Sequence, residues 1–507
     1  MKKKVLLLIL LLLMLFGCSN SNDKQKYYNV DELNNKVIAI WSGCGYEDYV
    51  DNRLDGTNFV YGELSTDLFN LVKNNKADAF VIGETFYRYH SSEVDGITIL
   101  NEPIGKARIA AIVSDNEMGK EILSKFNEFV AKIDETGEID EYLDKWTNPQ
   151  NNPEVDFSEL DESNPVVNIG YALEEPPYSY KQNNKQYGID VDLFVSFCKE
   201  YGYYPNFVDS TYEAVVTLIQ TKQLDIGMAG YNIVESKREA ITYSDPYITE
   251  NVIVGVKSPT SQGNIFKKIG RSFYRSFIEN DRYLEYINGA GVTLYITLFV
   301  VIIGTILGFL LYLLYINGLK FIEKIVNAID FVLGRIPEIV LLMFLFYVVF
   351  AQSSLTSKTI AAITLCFIFT VNIFKDIELA VSSIDKNQRE AASSLGFNNT
   401  EIFIHIIFPQ VFELFMANYE NEIIQMMLET SVSGYISVVD LTKAGDIIRN
   451  TTYESFLPLI IVAVFYFVVS TIIIKIISII RKRADYKART QEYIMKQIEK
   501  NALFKKR

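Results

Sequence analysis

Glu390-Ala391-Ala392-Ser393-Ser394-Leu395-Gly396, then nine residues, then Ile406-Ile407-Phe408-Pro409, is the stretch on which the reading of this chain turns. Two alanines between a carboxylate and two serines favour a short helix, and the glycine supplies the left-handed residue that commonly ends one. Apolar runs flank the stretch, at Thr359 to Val381 and, more polar, at Phe408 to Met427. Both are long enough to cross a bilayer. A polar, small-residue helix held between two spans is a surface offered to something outside the bilayer.

Further apolar runs stand at Gly291 to Tyr315, Ile325 to Phe350 and Phe456 to Ile480, so five spans are expected. An odd number puts the two ends of the membrane part on opposite sides. From Arg481 onward the chain carries ten Lys/Arg against three acidic residues, which assigns a basic tail, residues 482–507, to the cytoplasm. The segment holding Glu390 to Gly396 then also lies in the cytoplasm, and the chain before residue 289 lies outside. The fourth span carries Glu420, Glu422 and Glu429, which are costly in lipid and would face a pore or else an interface.

The start of the chain agrees with export. Lys2, Lys3 and Lys4 precede an apolar run, Val5 to Phe16, that is too short to span, the pattern of a signal peptide over residues 1–18. Leu15-Phe16-Gly17-Cys18 resembles a lipobox, which implies lipidation of Cys18; a chance cysteine after an ordinary signal is the alternative. Cys44, Cys198 and Cys366 show no paired spacing and the histidines are only His90 and His405, so neither a disulfide framework nor a metal cluster is indicated. A net charge of −14 argues against nucleic acid as a partner. No G-x-x-x-x-G-K-[ST] loop occurs, so the chain has no phosphate cradle of that kind, and no cofactor is expected on it.

With these residues in view, the 390–409 stretch resembles the EAA loop of ABC importer permeases, departing only at Phe408, where leucine is usual; a plain amphipathic helix is the alternative. Asn288-Gly289-Ala290-Gly291-Val292-Thr293-Leu294, Arg335-Ile336-Pro337, Gln388, Phe408-Pro409-Gln410, Asn421-Glu422 and Thr430-Ser431 resemble, in order, landmarks of the polar-amino-acid (histidine/glutamine permease-like) branch. The resemblance implies that Glu390, Ala391, Ala392 and Gly396 couple the spans to a separate cytoplasmic ATPase, which would bind the ATP and Mg. It also implies a homodimer, since two permease halves enclose a path. At Lys375 and Glu378 the signs of the family's usual pair are exchanged, and an i,i+3 ion pair would survive the swap.

Before the spans, short β-like runs alternate with helical ones, the pattern of open α/β sheets. Val167 to Gly170, Pro176-Pro177-Tyr178-Ser179-Tyr180, Gly188-Ile189-Asp190-Val191-Asp192-Leu193, Leu224-Asp225-Ile226 and Tyr243 to Tyr247 resemble the first lobe of an amino-acid-binding protein of the type II periplasmic-binding-protein class, bacterial solute-binding family 3. Landmarks of the second lobe stand upstream: Val30 to Gly43, Lys76 to Val81, and a closing Lys145-Trp146. The expected fold is therefore an α/β two-lobe domain in circularly permuted order followed by an all-α transmembrane permease. Its parts are the second lobe at 27–147, a linker at 148–165, the first lobe at 166–258, a juxtamembrane connector at 259–288 and the permease at 289–481. A decayed tandem of two domains is the alternative.

The same resemblance places ligand contacts at Tyr178, Tyr231, Asn232, Gly43 and Cys44. Where the family has an arginine for an amino acid's carboxylate this chain has Lys237, and where it has an aspartate for the ammonium this chain has Gly83. Arg238 and Glu84 stand one residue beyond those places and could serve in their stead; as solvated surface charges they would not. The reading is of a fused binding and permease subunit of an ABC importer for a small polar, amino-acid-like solute, sited in a bacterial cytoplasmic membrane. A membrane-bound ligand sensor on the same architecture is the alternative.

Overall fold

The computed structural model describes residues 26–91, 94, 96–148, 153–258, 265–353, 355–452, 454 and 456–484. The expected signal, Cys18 and nearly all of the basic tail lie outside these residues. The chain divides into two compact units. One takes the chain up to Ala107 together with Thr249–Lys267, and the other takes Arg108–Ile248 and the chain from Lys268 on.

The first unit is built on a sheet in the order 58–62, 37–41, 79–83, 248–257, 97–99, with 105–109 also pairing on 248–257. The strands up to 83 are parallel, and Ile248–Lys257 enters antiparallel, aligning Val252 with Gly83 and Val256 with Ala79. Strand Ala79–Gly83 is buried along its whole length, as a central strand covered on both faces must be.

The second unit contains a sheet in the order 204–210, 166–172, 226–228, 112–113, 242–243, whose last two strands run antiparallel. Helices Glu117–Thr136 and Glu138–Thr147 pack on helix Ile189–Tyr201: Phe126 and Phe129 meet Phe197 at ring distances of 5.4 and 5.7 Å. Asp192 accepts from Lys145 Nζ at 2.6 Å and Trp146 Nε1 at 2.9 Å. The expected lobe boundaries therefore move. Residues 108–147 join the first lobe, because Asp192 and Phe197 hold them there, and 249–257 join the second, because Ala79–Gly83 needs a pairing partner. Each sheet is completed by a strand from the other half of the sequence.

Among the described residues, four helices are long and apolar enough to cross a membrane: Tyr283–Ile316, Ser357–Ser382, the continuous run Asn399–Ile436, and Phe456–Arg481. The expected span at 325–350 is instead two helices, Phe321–Leu333 and Glu338–Val349, bent by 105°; counted as one span, the pair makes five. The bend falls at Gly334-Arg335-Ile336-Pro337, where proline removes a donor and biases its predecessor away from helix. The first span also starts earlier than expected, at Tyr283. Along it, a side chain at Gly304 would meet the Phe369 ring at 2.7 Å, and one at Gly308 would meet Ile373 at 2.7 Å. Small residues four apart thus let helices 283–316 and 357–382 approach closely, a packing device suited to lipid, where hydrophobic burial supplies little.

Candidate functional site

Residues Lys386–Ser394 form a helix capped by Asp385, whose side chain accepts from Asn387 N at 2.9 Å. Gly396 follows with φ +91, a conformation that side chains disfavour, and its N–H closes on Ser393 O at 3.0 Å. Ala392 is buried against the spans, while Glu390, Ala391 and Gly396 face out. Leu395 is 78% exposed and Phe397 41%. Gln410 Nε2 donates to Gln388 Oε1 at 2.9 Å, joining two landmarks that stand far apart in the sequence. Lys375 and Glu378 form the expected i,i+3 pair at 2.7 Å, and Lys375 also donates to Asn327.

Gly289 and Thr293, the landmark pair at the head of the first long helix, hold helix Leu441–Thr452. An added Cβ at Gly289 would meet Asp440 O at 2.7 Å, and Thr293 Oγ1 accepts from Leu441 N at 3.1 Å. Asp440 receives Lys443 N at 2.9 Å, Thr442 N at 3.2 Å and Tyr466 Oη at 3.2 Å. This helix carries the first lobe. Lys443 forms an ion pair with Glu174 in which the two side chains are 9% and 5% exposed. Asn450 Nδ2 donates to Glu174 O. Tyr171, Leu173 and Val191 of the lobe pack with Ile447 in one apolar cluster.

On the first lobe, Tyr178 is buried, its ring filling the space a side chain at Gly230 would take, 2.7 Å away. The Tyr231 ring lies 4.6 Å from that of Tyr212, tilted by 37°, and its hydroxyl donates to Tyr212 O at 2.7 Å. Burial first, and then Tyr212, Glu213, Asp190 and Glu175, hold that hydroxyl well above its ordinary pKa. Asp190 is fully buried between Gly230 N and Tyr247 Oη, both at 2.8 Å, and burial pushes its carboxyl up to about 7. Asn232 is anchored too, accepting from Arg108 N at 3.2 Å. The structure thus brings Tyr178 and Tyr231 together with Asp190, Glu175 and Glu213, acids that the sequence reading did not single out.

Arg238 is not part of that group. It lies exposed on the turn after 235–237 and pairs with Glu235 at 2.5 Å, while Lys237, on the same turn, is half-buried.

The second lobe explains its own departure. Gly83 leaves room that Glu250 fills: an added Cβ there would lie 2.1 Å from Glu250 Oε1. Glu250 is buried, with Oε2 accepting from Thr85 N at 2.6 Å. The carboxylate beside position 83 thus belongs to Glu250 of strand 248–257. Its signal in the sequence is Glu250-Asn251 interrupting an otherwise apolar strand. Glu84 heads helix Glu84–His90 and accepts from Asn251 at 2.7 Å. Cys44 is buried with its thiol turned to Trp41 O at 2.9 Å, so it offers no free hydroxyl-like donor; Gly43 precedes it with φ +80.

Against known proteins, residues 167–496 match bacterial extracellular solute-binding proteins, family 3. A glutamine transport system permease protein of Rickettsia typhi is 26% identical over 199 residues, covering 39% of this chain and 91% of its own length. A glutamine ABC transporter permease of Bacillus subtilis is 26% identical, covering 38% and 88%. The histidine/lysine/arginine/ornithine transport system permease of Escherichia coli K12 is 26% identical, covering 38% and 87%. The crystal structure of an amino acid ABC transporter with histidines is 25% identical, covering 44% of this chain and 99% of its own, at a TM-score of 0.37. With its apolar helices, the chain is a membrane protein. It belongs to the bacterial extracellular solute-binding proteins, family 3, and is similar over about two fifths of its length to glutamine and histidine transport permeases.

Proposed function

We propose that this chain captures a small polar, amino-acid-like solute outside the bacterial cytoplasmic membrane and passes it inward as part of an ABC importer. A separate ATPase, holding the ATP and Mg, docks on Glu390 to Gly396, and two copies of the permease half enclose the path. The observation that carries this reading is the exposed helix Lys386–Ser394, with its left-handed Gly396 and the outward Leu395 and Phe397. Exposed apolar side chains beside a short rigid helix suit a groove on a partner and serve no purpose in water. The strand exchange between sheets supports the permuted lobe order, and Cys18, if lipidated, gives the exported lobes a second anchor. A sensor would have no use for an intact coupling helix, which favours import.

The test is uptake of radiolabelled amino acids by cells producing the chain with a cognate ATPase. Glu390→Ala and Gly396→Val abolish the uptake that the wild type confers, while ligand binding by the purified chain is unchanged. Uptake that persists in both variants refutes the coupling role.

A further inference from the structure

Helix Tyr283–Ile316 holds helix Leu441–Thr452 with one face, through Gly289 and Thr293, and leaves another face open. On that open face a groove of about 800 Å³ runs between it and helix Ser357–Ser382. The mouth is polar, formed by Asn288, Thr356, Lys358 and Thr359, and the shaft is apolar, formed by Tyr295, Phe299 and Ala362 beside Gly291. From Asn288 to Phe299 the helix rises about 16 Å, half of the ~30 Å hydrocarbon thickness of a bilayer. The groove is therefore as deep as one leaflet and turns from polar to apolar along that depth.

The mouth carries a bare positive charge. The Thr356 and Thr359 hydroxyls bond each other at 2.9 Å, and the exposed Lys358 ammonium forms no ion pair among the described residues. No Asp or Glu stands between Glu285 and Glu323 or between Glu338 and Asp376, so the sequence brings no carboxylate to the groove's length. Glu285, the acid next before it, accepts from Asn183 N at 3.3 Å. The positive end of helix Ser357–Ser382 adds to the same field.

These features select among occupants. A small polar solute would leave the aromatic shaft unfilled. A second copy seated here about a twofold axis would bring two Lys358 ammoniums together with no carboxylate to part them. A phospholipid answers both halves, phosphate to Lys358 and acyl chain along Tyr295 and Phe299. We propose that this groove is a binding site for one anionic phospholipid, in the leaflet at the Gly289 end of the bundle. Its occupant braces, from the open face, the helix that bears helix Leu441–Thr452 and the first lobe. The inference needs the two helices to span a bilayer and is independent of what the chain transports.

The test is native mass spectrometry of the full chain in detergent, titrated with phosphatidylglycerol or phosphatidylcholine, beside a melting curve. Wild type binds one phosphatidylglycerol about tenfold or more tighter than phosphatidylcholine, the range expected for one charge-assisted hydrogen bond. Lys358→Gln brings phosphatidylglycerol down to the phosphatidylcholine level. An added Cβ at Gly291 meets no atom within 4 Å, so Gly291→Phe plugs the shaft at an unchanged melting temperature and weakens binding of both lipids. Equal affinity for the two lipids in wild type, or phosphatidylglycerol binding unchanged in both variants, overturns the proposal. So does a Tyr295→Cys chain that crosslinks in nanodiscs to the same position of a second copy where wild type does not, because a copy and not a lipid then fills the groove.

Discussion

At the Ile316 end of the helical bundle, Glu390, Ala391, Leu395 and Phe397 stand exposed, whereas at the Gly289 end Lys443, Asn450 and Glu174 are buried against one another within the same chain. The two ends are set apart by the helix between them: Asn399 Nδ2 donates to Ile316 O at 2.7 Å, and Asp440 lies against Gly289. At 1.5 Å per residue that separation is about 40 Å. One end keeps its polar groups in water and its apolar side chains bare. The other has desolvated a charge pair and satisfied it with its own lobe. A permanent contact can sustain buried charge, because its partner never leaves. A contact made and broken in each cycle cannot, and is built from surfaces that tolerate water.

Substitutions at the closed end should therefore cost far more than those at the open end. Lys443→Met strands the Glu174 carboxylate and destabilises this unit by about 3–5 kcal/mol, read as a lowered melting temperature of the detergent-solubilised chain. Adding Glu174→Met restores most of the loss; a double variant as unstable as the single one would show that the ion pair is not the source. Asp440 comes next. Burial pushes its carboxyl up to about 6. Because the folded value is raised, its stabilising contribution is complete below the ordinary carboxylate range and is lost as pH rises through 6, by up to about 3 kcal/mol. Asp440→Asn should flatten the melting temperature between pH 4 and 7. Gly396→Ala, at the open end, costs only the left-handed penalty of about 1–2 kcal/mol, confined to the end of one helix. Leu395→Ser should leave the stability within about 0.5 kcal/mol of wild type, read as an almost unchanged melting temperature. A loss as large as that of Lys443→Met would mean that this surface is part of the fold and not an open docking face.

The spans were largely legible in the sequence because lipid imposes a length and a composition that single runs display, and the helix at 386–394 was legible because glycine stops it. The bend at 334–337 was legible only in hindsight, since hydropathy averages over a proline. The lobes were harder. Asp192 draws Lys145 and Trp146 to itself across 46 residues of sequence, and Glu250 fills the space at Gly83 across a far longer gap. Pairings of this kind leave no local pattern. Arg238 shows a local pairing instead: it stands one residue from a familiar place, and its guanidinium pairs with Glu235, three residues before it.

The strand that leaves the first lobe to complete the second lobe's sheet also sets a schedule. Gly83 waits for Val252, about 170 residues later. At ~5–20 residues per second, roughly 10–30 s pass between the emergence of one and of the other. The earlier lobe thus leaves the ribosome with one edge of its central strand unpaired, and the partner for that edge arrives only shortly before Tyr283 opens the first span. An exposed edge is an invitation to mispairing. Closing the sheet and committing the chain to the bilayer become neighbouring events in time, so a delay in either endangers the other.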